Sequence, residues 1–214
     1  MSRGLRVTLF DYGAGNLHSL GKALAVPGVA VVVETDPLAA LDTDLLVLPG
    51  VGNFTVAAEK LAPARAEMLD AISRGLPTLG VCLGMQLLFD DSDEGPGLGL
   101  GVIAGRVTRL NTKRIPQIGW NAIEEVAQGE LCGFDDPIRD AYFANSFACR
   151  PTNESAVIAW STHESDRFAA AVRIGNALGV QFHPEKSSTP GVRFLRALVE
   201  SVRAARPTVT VGGP

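Results

Sequence analysis

The chain has 214 residues, 46% of them hydrophobic, and a formal net charge of -4 at pH 7. That length suits one α/β domain with a full core, and so mild a charge carries no electrostatic footprint for a nucleic acid or an acidic membrane surface. No apolar run reaches the roughly 20 residues that a bilayer span needs, and strand-like sequence begins within a few residues of Met1, which leaves no room for a signal peptide; the expected compartment is the cytoplasm.

Residues 6–10 read as a first strand, followed by a glycine-rich turn at 11–16 and a helix over about 17–25. The turn lacks the third glycine of Gly-x-Gly-x-x-Gly and the Lys-Ser/Thr of a P-loop, which argues against phosphate binding. Residues 30–33 form a second strand, Pro37 opens a short helical piece, and residues 45–48 form a third strand that ends in Pro49-Gly50-Val51-Gly52. A helical region over about 57–74, broken at Pro63, leads to a fourth strand at 77–81. Strands alternating with helices predict a parallel sheet with right-handed crossovers. After Asp90 the rhythm changes. An acidic, glycine-rich loop to Gly101 is followed by strand-like runs at 102–110, 120–126, 141–148 and 156–160. Residues 168–174 and 178–182 predict a hairpin about Gly175-Asn176. A helix returns over about 191–205, which closes a single domain spanning 1–205, and residues 206–214 are expected to fray. The three cysteines, Cys82, Cys132 and Cys149, are odd in number and lack metal-type spacing, so reduced thiols are expected, with no metal and no disulfide framework.

Gly80-x-Cys82-x-Gly84 falls between the fourth strand and a run in which Leu83, Leu87 and Leu88 recur at helical spacing. Small residues flanking a sharp strand-to-helix turn give the shape of a nucleophile elbow, and a helix N-terminus favours a thiolate. For Cys82 taken alone, a small core hydrophobe is the competing reading. A thiol nucleophile needs a base. His18 lies in a helix and His163 in a polar segment, whereas His183 ends an apolar strand and is followed by Pro184 and Glu185. Proline biases the residue before it to an extended conformation, in which residues two apart share a side, so Glu185 is expected beside the imidazole as the orienting carboxylate of a triad. Acyl transfer also needs oxyanion donors. The Leu83 amide is one candidate, and the glycine loop Gly50-Val51-Gly52 supplies the other; losing one such donor typically costs roughly 3 kcal/mol of transition-state stabilisation.

Five blocks carry a resemblance: Asp11-Tyr12-Gly13-x-Gly15-Asn16, Pro49-Gly50-Val51-Gly52-x-Phe54, Gly80 to Leu88, Ile118-Gly119-Trp120-Asn121, and Gly179 to Ser187. In this order they resemble the triad-type (class I) glutamine amidotransferases. Within that family, the first and fourth blocks are similar to glutaminase subunits that serve a cyclase making imidazole glycerol phosphate in histidine biosynthesis. The resemblance implies a three-layer α/β fold around a mostly parallel sheet, with extra antiparallel strands in the second half. It implies that Cys82 attacks the side-chain amide of L-glutamine, that His183 relays the proton to ammonia, and that water hydrolyses the thioester. It places Gln86 and Asn145-Ser146-Phe147 around the amino-acid end of glutamine, and Gly52 and Leu83 at the oxyanion. No cofactor is implied. A (β/α)8-barrel cyclase subunit is the implied partner, with Asp11, Tyr12, Asn16, Gln117, Trp120, Asn121 and Lys186 as interface candidates. Two positions depart from the family's pattern: Gln117-Ile118 stands where His-Met is common, and Asn145 where a histidine is common. The rival readings are a glutaminase serving anthranilate or pyridoxal phosphate synthesis, or a catalytically silent binding module.

Overall fold

The computed structural model describes residues 4–13, 17–133 and 136–206, so Asn16 and the tail from 207 onward lie outside the described residues. In the first half, β1 (Leu5–Phe10), α1 (Leu17–Leu24), β2 (Val29–Glu34), β3 (Leu45–Leu48), α2 (Phe54–Leu61), α3 (Arg65–Ser73) and β4 (Thr78–Val81) follow the alternation expected from the sequence. A 3-10 turn holding Pro63 separates α2 from α3. α2 starts three residues earlier than the apolar pattern indicates, because Asn53 Oδ1 accepts the Val56 N–H and Glu94 Oε2 accepts the Phe54 N–H, satisfying amides that a helix start leaves open.

The second half contains α4 (Leu83–Gln86), β5 (Asp91–Ser92), β6 (Gly105–Arg109), β7 (Gln117–Ala122), β8 (Cys132–Gly133), β9 (Asp136–Pro137), β10 (Asp140–Asn145), β11 (Phe147–Pro151), β12 (Val157–His163), β13 (Asp166–Ile174), β14 (Ala177–Val180) and α5 (Ser188–Ala205). The central sheet has seven strands in the order β12-β13-β14-β4-β3-β1-β2. From β14 to β2 all pairs are parallel, and β12 and β13 extend the sheet antiparallel, with the hairpin turn at Gly175-Asn176.

Alternate residues of β3 explain the layers. Leu45 and Val47 face a core that includes Leu20 and Leu24 of α1 and Phe194, Leu195 and Val199 of α5. Leu46 and Leu48 face the opposite core, with Phe54 and Leu61 of α2 and Met68 and Ile72 of α3. Both faces of the sheet are covered, which is why its inner strands are apolar without alternation.

Three expectations are corrected. The helix after Cys82 is a single turn: beyond Gln86 the bonds tighten, Leu88 N–H to Met85 C=O and Phe89 N–H to Gln86 C=O, and Leu87, Leu88 and Phe89 turn fully into the core. The run at 141–148 is two strands that part at Ser146, β10 pairing with β7 and β11 with β6. The run at 120–126 starts earlier and stops earlier, because β7 is registered residue for residue against β10 from Gln117↔Asn145 to Ala122↔Asp140, and Glu125 adopts φ 50 just beyond it.

Candidate active site

Neighbouring parallel strands β3, β4 and β14 all run the same way, so the segments that follow them emerge together at their carboxyl ends, where open α/β sheets place their sites. Register fixes how closely they emerge: Gly80 of β4 lies between Leu48 of β3 and Gly179 of β14, and Val81 lies beside Val180. Gly50, Cys82 and His183 are therefore the residues just beyond three adjacent strand ends.

The elbow is made by close packing. A Cβ at Gly80 would stand 2.5 Å from the Gly84 carbonyl oxygen, and one at Gly84 would strike the Leu48 carbonyl, so both glycines are there for space. Cys82 itself adopts φ 48 and ψ -103, a sparsely populated region for a residue with a side chain. It is held there by its N–H bonding Val180 C=O at 2.7 Å and its C=O accepting the Gln86 N–H at 3.1 Å.

His183 is fixed from both sides. Its N–H donates to Tyr142 C=O, while Ser187 Oγ donates to His183 C=O at 2.7 Å and accepts the Tyr142 N–H at 2.9 Å. Glu185 Oε1 lies 2.9 Å from His183 Nδ1. The pairing is the expected one, but Glu185 reaches the ring through a 3-10 turn over Pro184–Lys186, where the sequence suggested extended chain. On its other side the imidazole faces Cys82, close enough for the two groups to perturb each other's charge. Burial pulls its pKa down, but the interactions with Cys82 and Glu185, with their negative charges, outweigh that and hold it at about 9.

A cleft of about 300 Å³ opens above the thiol, lined by Gly50, Val51, Gly52, Cys82, Leu83, Gln86, Glu94, Ala144, Asn145, Ser146, Phe147, His183 and Lys186. Every residue expected to react, to hold substrate or to serve the oxyanion borders this cleft or touches one that does. The two loop glycines serve different needs: Gly52 takes φ 139, which favours glycine, and Gly50 is needed for space, since a Cβ there would stand 2.7 Å from Val81 O and 3.1 Å from His183 Cε1. Among the described residues no cluster of His, Cys, Asp and Glu is placed to hold a metal.

The interface candidates scatter. Trp120 is 58% exposed, beside Ile118 at 68%, and Lys186 is exposed at the cleft rim. Tyr12 and Gln117 are corrected to interior positions. Tyr12 is packed edge-on against Phe10, where burial, with the charges of Cys82 and Asp11 adding to it, pushes its phenol well above the usual pKa. Gln117 points inward because alternate residues of β7 face opposite sides and Ile118 and Trp120 take the outer one. Asp11 is half-buried and accepts the Gly13 N–H, and the Asn121 amide donates to Thr162 C=O. Asn16 falls outside the described residues. His18 is exposed, and His163 is bonded to Arg114 C=O. Cys149 is fully buried on β11, and burial raises its thiol pKa well above the usual value, which makes it inert.

Sequence reasoning missed Glu94, Ser187 and Gln181. Glu94 caps α2 from a loop 40 residues away, and Gln181 reads as part of an apolar strand although its amide Nε2 lies 3.4 Å from Cys82 Sγ.

A strained cysteine at a strand end thus lies beside a histidine whose ring bonds a glutamate, on an α/β fold whose central sheet is covered on both faces. Residues 8–200 match the family Glutamine amidotransferase class-I, and the chain belongs to it. Two solved structures share the fold at low identity: a glutamine amidotransferase (20% identical, TM-score 0.71, covering 92% of this chain and 98% of that one) and PurLQS from Thermotoga maritima (19%, TM-score 0.67, 93% and 99%). Relatives in sequence narrow the family. The chain is 39% identical over 195 residues to the imidazole glycerol phosphate synthase subunit HisH of Pyrococcus furiosus, covering 89% of this chain and 96% of that one. It is 41% identical over 204 residues to HisH of Synechocystis sp. (92% and 96%) and 42% identical over 195 residues to HisH of Thermus thermophilus (89% and 95%). Within the class I amidotransferases, then, the chain groups with the HisH subunits.

Proposed function

We propose that the chain is the glutaminase subunit of an imidazole glycerol phosphate synthase, one amidotransferase domain over residues 1–205, hydrolysing L-glutamine to glutamate and ammonia for a (β/α)8-barrel cyclase subunit in the cytoplasm. The observation that carries it is the line of Cys82, His183 and Glu185, the last two hydrogen-bonded at 2.9 Å, beneath a cleft sized for an amino acid. Cys82 Sγ, as the thiolate, attacks the side-chain carbonyl carbon of glutamine, and the carbonyl electrons move to oxygen. Amides at Leu83 and in the Gly50-Val51-Gly52 loop receive that oxyanion. The His183 imidazolium gives its proton to the departing nitrogen as the C–N bond breaks, releasing ammonia and leaving a glutamyl thioester. The now neutral imidazole takes a proton from water, the hydroxide adds to the thioester carbon, and collapse expels the Cys82 thiolate with glutamate. Glu185 orients the ring and stabilises its cationic form in both halves.

Gln86 and the segment Asn145-Ser146-Phe147 line the wall that holds the amino-acid end, and Glu94 supplies the carboxylate on that wall to neutralise the α-ammonium. Lys186 stands at the cleft rim, and the exposed pair Ile118 and Trp120 on β7 offers an apolar surface near it, the face we assign to the cyclase. Among the described residues no helix is long and apolar enough to cross a membrane.

The deciding experiment is a glutaminase assay of the purified chain with and without the cyclase and its nucleotide ligand. Slow hydrolysis alone and strong stimulation by the liganded cyclase is the expected result. Absence of hydrolysis in either condition would overturn the assignment, and stimulation by a chorismate-using or pyridoxal-phosphate-synthesising subunit instead would redirect it.

A further inference from the structure

Behind the nucleophile, polar side chains form a line through the interior. Gln86 Nε2 donates to Phe147 C=O at 3.3 Å and to Gln181 Oε1 at 3.3 Å, and Gln181 Nε2 donates to Cys82 Sγ at 3.4 Å. Gln181 is fully buried and Gln86 nearly so. The two ends of a carboxamide have the same shape, so which end is the NH₂ follows from its partners. Here a backbone carbonyl starts the line. Phe147 O only accepts, so the end of Gln86 beside it is the NH₂. That same NH₂ faces Gln181, so the Gln181 end it meets is the oxygen. The remaining end of Gln181, the one at the sulfur, is therefore a donor.

We infer that Gln181 is a catalytic hydrogen-bond donor to the thiolate of Cys82, kept in its donating orientation by Gln86 and the Phe147 carbonyl. The inference rests on the reading of Cys82 as the nucleophile and adds a residue to it. A donor bonds an anionic acceptor roughly twice as strongly as a neutral one, so Gln181 favours the thiolate over the thiol. The preference acts at two points in one turnover. At rest it raises the share of Cys82 present as thiolate beside the His183 imidazolium, and it stabilises the charge that returns to sulfur as the thiolate leaves the thioester. The neutral sulfur of the thioester gains less, so the barrier that this differential binding lowers is the one to departure. Gln86 borders the cleft, so substrate contacts lie one hydrogen bond from this donor. The backbone supports the arrangement: the Gln181 N–H bonds Ala170 C=O at 2.8 Å, fixing the strand end from which the side chain reaches Cys82.

The test is the pH profile of Cys82 alkylation by iodoacetamide, followed by mass spectrometry of the labelled peptide, in the wild type, Gln181→Met and Gln86→Met. Methionine keeps the length and removes the donor. In Gln181→Met the profile is expected to move to higher pH by about one unit, so that alkylation at neutral pH slows about tenfold, the usual worth of a hydrogen bond to a charged group. With the cyclase bound, glutaminase kcat falls about tenfold. In Gln86→Met the Gln181 amide is free to turn over, and a shift in the same direction of about threefold is expected. If Gln181→Met does not fold, Gln86→Met decides alone. A folded variant whose profile coincides with the wild type overturns the role of Gln181. The underlying reading fails separately: it falls if wild-type Cys82 is no more reactive in the folded chain than in the unfolded one.

Discussion

On one wall of the cleft, each reacting group stands on a strand end that its neighbours fix. Cys82 follows β4, His183 follows β14 and Gly50 follows β3, and the hydrogen bonds of Cys82, Gln86, Gln181 and His183 close within the chain. The other wall is the β7–β10 ribbon. There Gln117 and Asn145 face each other in the ladder, each 4% exposed, yet both amide ends of Gln117 and Oδ1 of Asn145 have no hydrogen-bond partner among the described residues. Buried polar groups are ordinarily paired. The contrast is one of satisfaction: the side chains around the sulfur bond one another, with Oε2 of Glu185 as the exception, whereas the paired amides of the ribbon leave most of their capacity unused.

The largest expected effect tests the first wall at its centre. Cys82→Ala should reduce glutamine-dependent synthesis by the complex roughly 10⁵-fold or more while ammonia-dependent synthesis persists, since only the first route needs the thiol. Parallel loss of both would make the cysteine a structural residue. Glu185→Gln keeps the side chain's shape and removes its charge; kcat should fall roughly 10² to 10⁴-fold. NMR titration of His183 in this variant should place its pKa below about 9, because one of the two groups that raise it is gone. An unchanged value would mean that Cys82 alone sustains it.

Gly50→Ala sharpens the comparison by filling space the wall does not have. Its methyl would meet Val81 O, Cys82 Cβ and His183 Cε1, so the loop must move. Expected are a kcat loss of roughly 10² to 10³-fold, as when an oxyanion donor is displaced, and a stability loss of about 1–3 kcal/mol from overpacking. Full activity in this variant would show that the loop's position does not matter to the chemistry.

How much of this was legible in the sequence follows the same division. β3 is bounded correctly to the residue, and the β13–β14 turn falls where Gly175-Asn176 puts it, because buried parallel strands and tight turns announce themselves locally. The nearness of Cys82, His183 and Glu185 was legible because glycines flank Cys82 at the end of β4 and Pro184 follows His183 just beyond β14. The ribbon was not. Where β7 begins and where the run at 141–148 divides are set by pairing partners over 20 residues away, and no local period encodes a change of sheet at Ser146. Gln181 escaped for a related reason: it contacts Cys82 across 99 residues of chain, from just beyond β14 in a run whose neighbours are apolar.

A further effect of the nucleophile's wall appears in stability. His183 has its pKa raised from 6.5 to about 9 on folding, so between those values the folded chain holds a proton that the unfolded chain releases. The contribution is complete below pH 6.5 and is lost as pH rises through about 9, so unfolding free energy should fall with pH across that window. Urea denaturation at a series of pH values checks the slope, and His183→Gln should remove it. A slope of the opposite sign would mean that the imidazole is buried neutral.

The smallest expected change is on the ribbon. Gln117→Leu replaces an inward amide that has no partner among the described residues by an apolar side chain of similar size. An unpaired buried amide costs about 1–3 kcal/mol, so its removal should leave the isolated chain unchanged or stabilise it by up to about that much in urea denaturation. A stability loss of more than about 2 kcal/mol would mean that the amide is paired in the free chain.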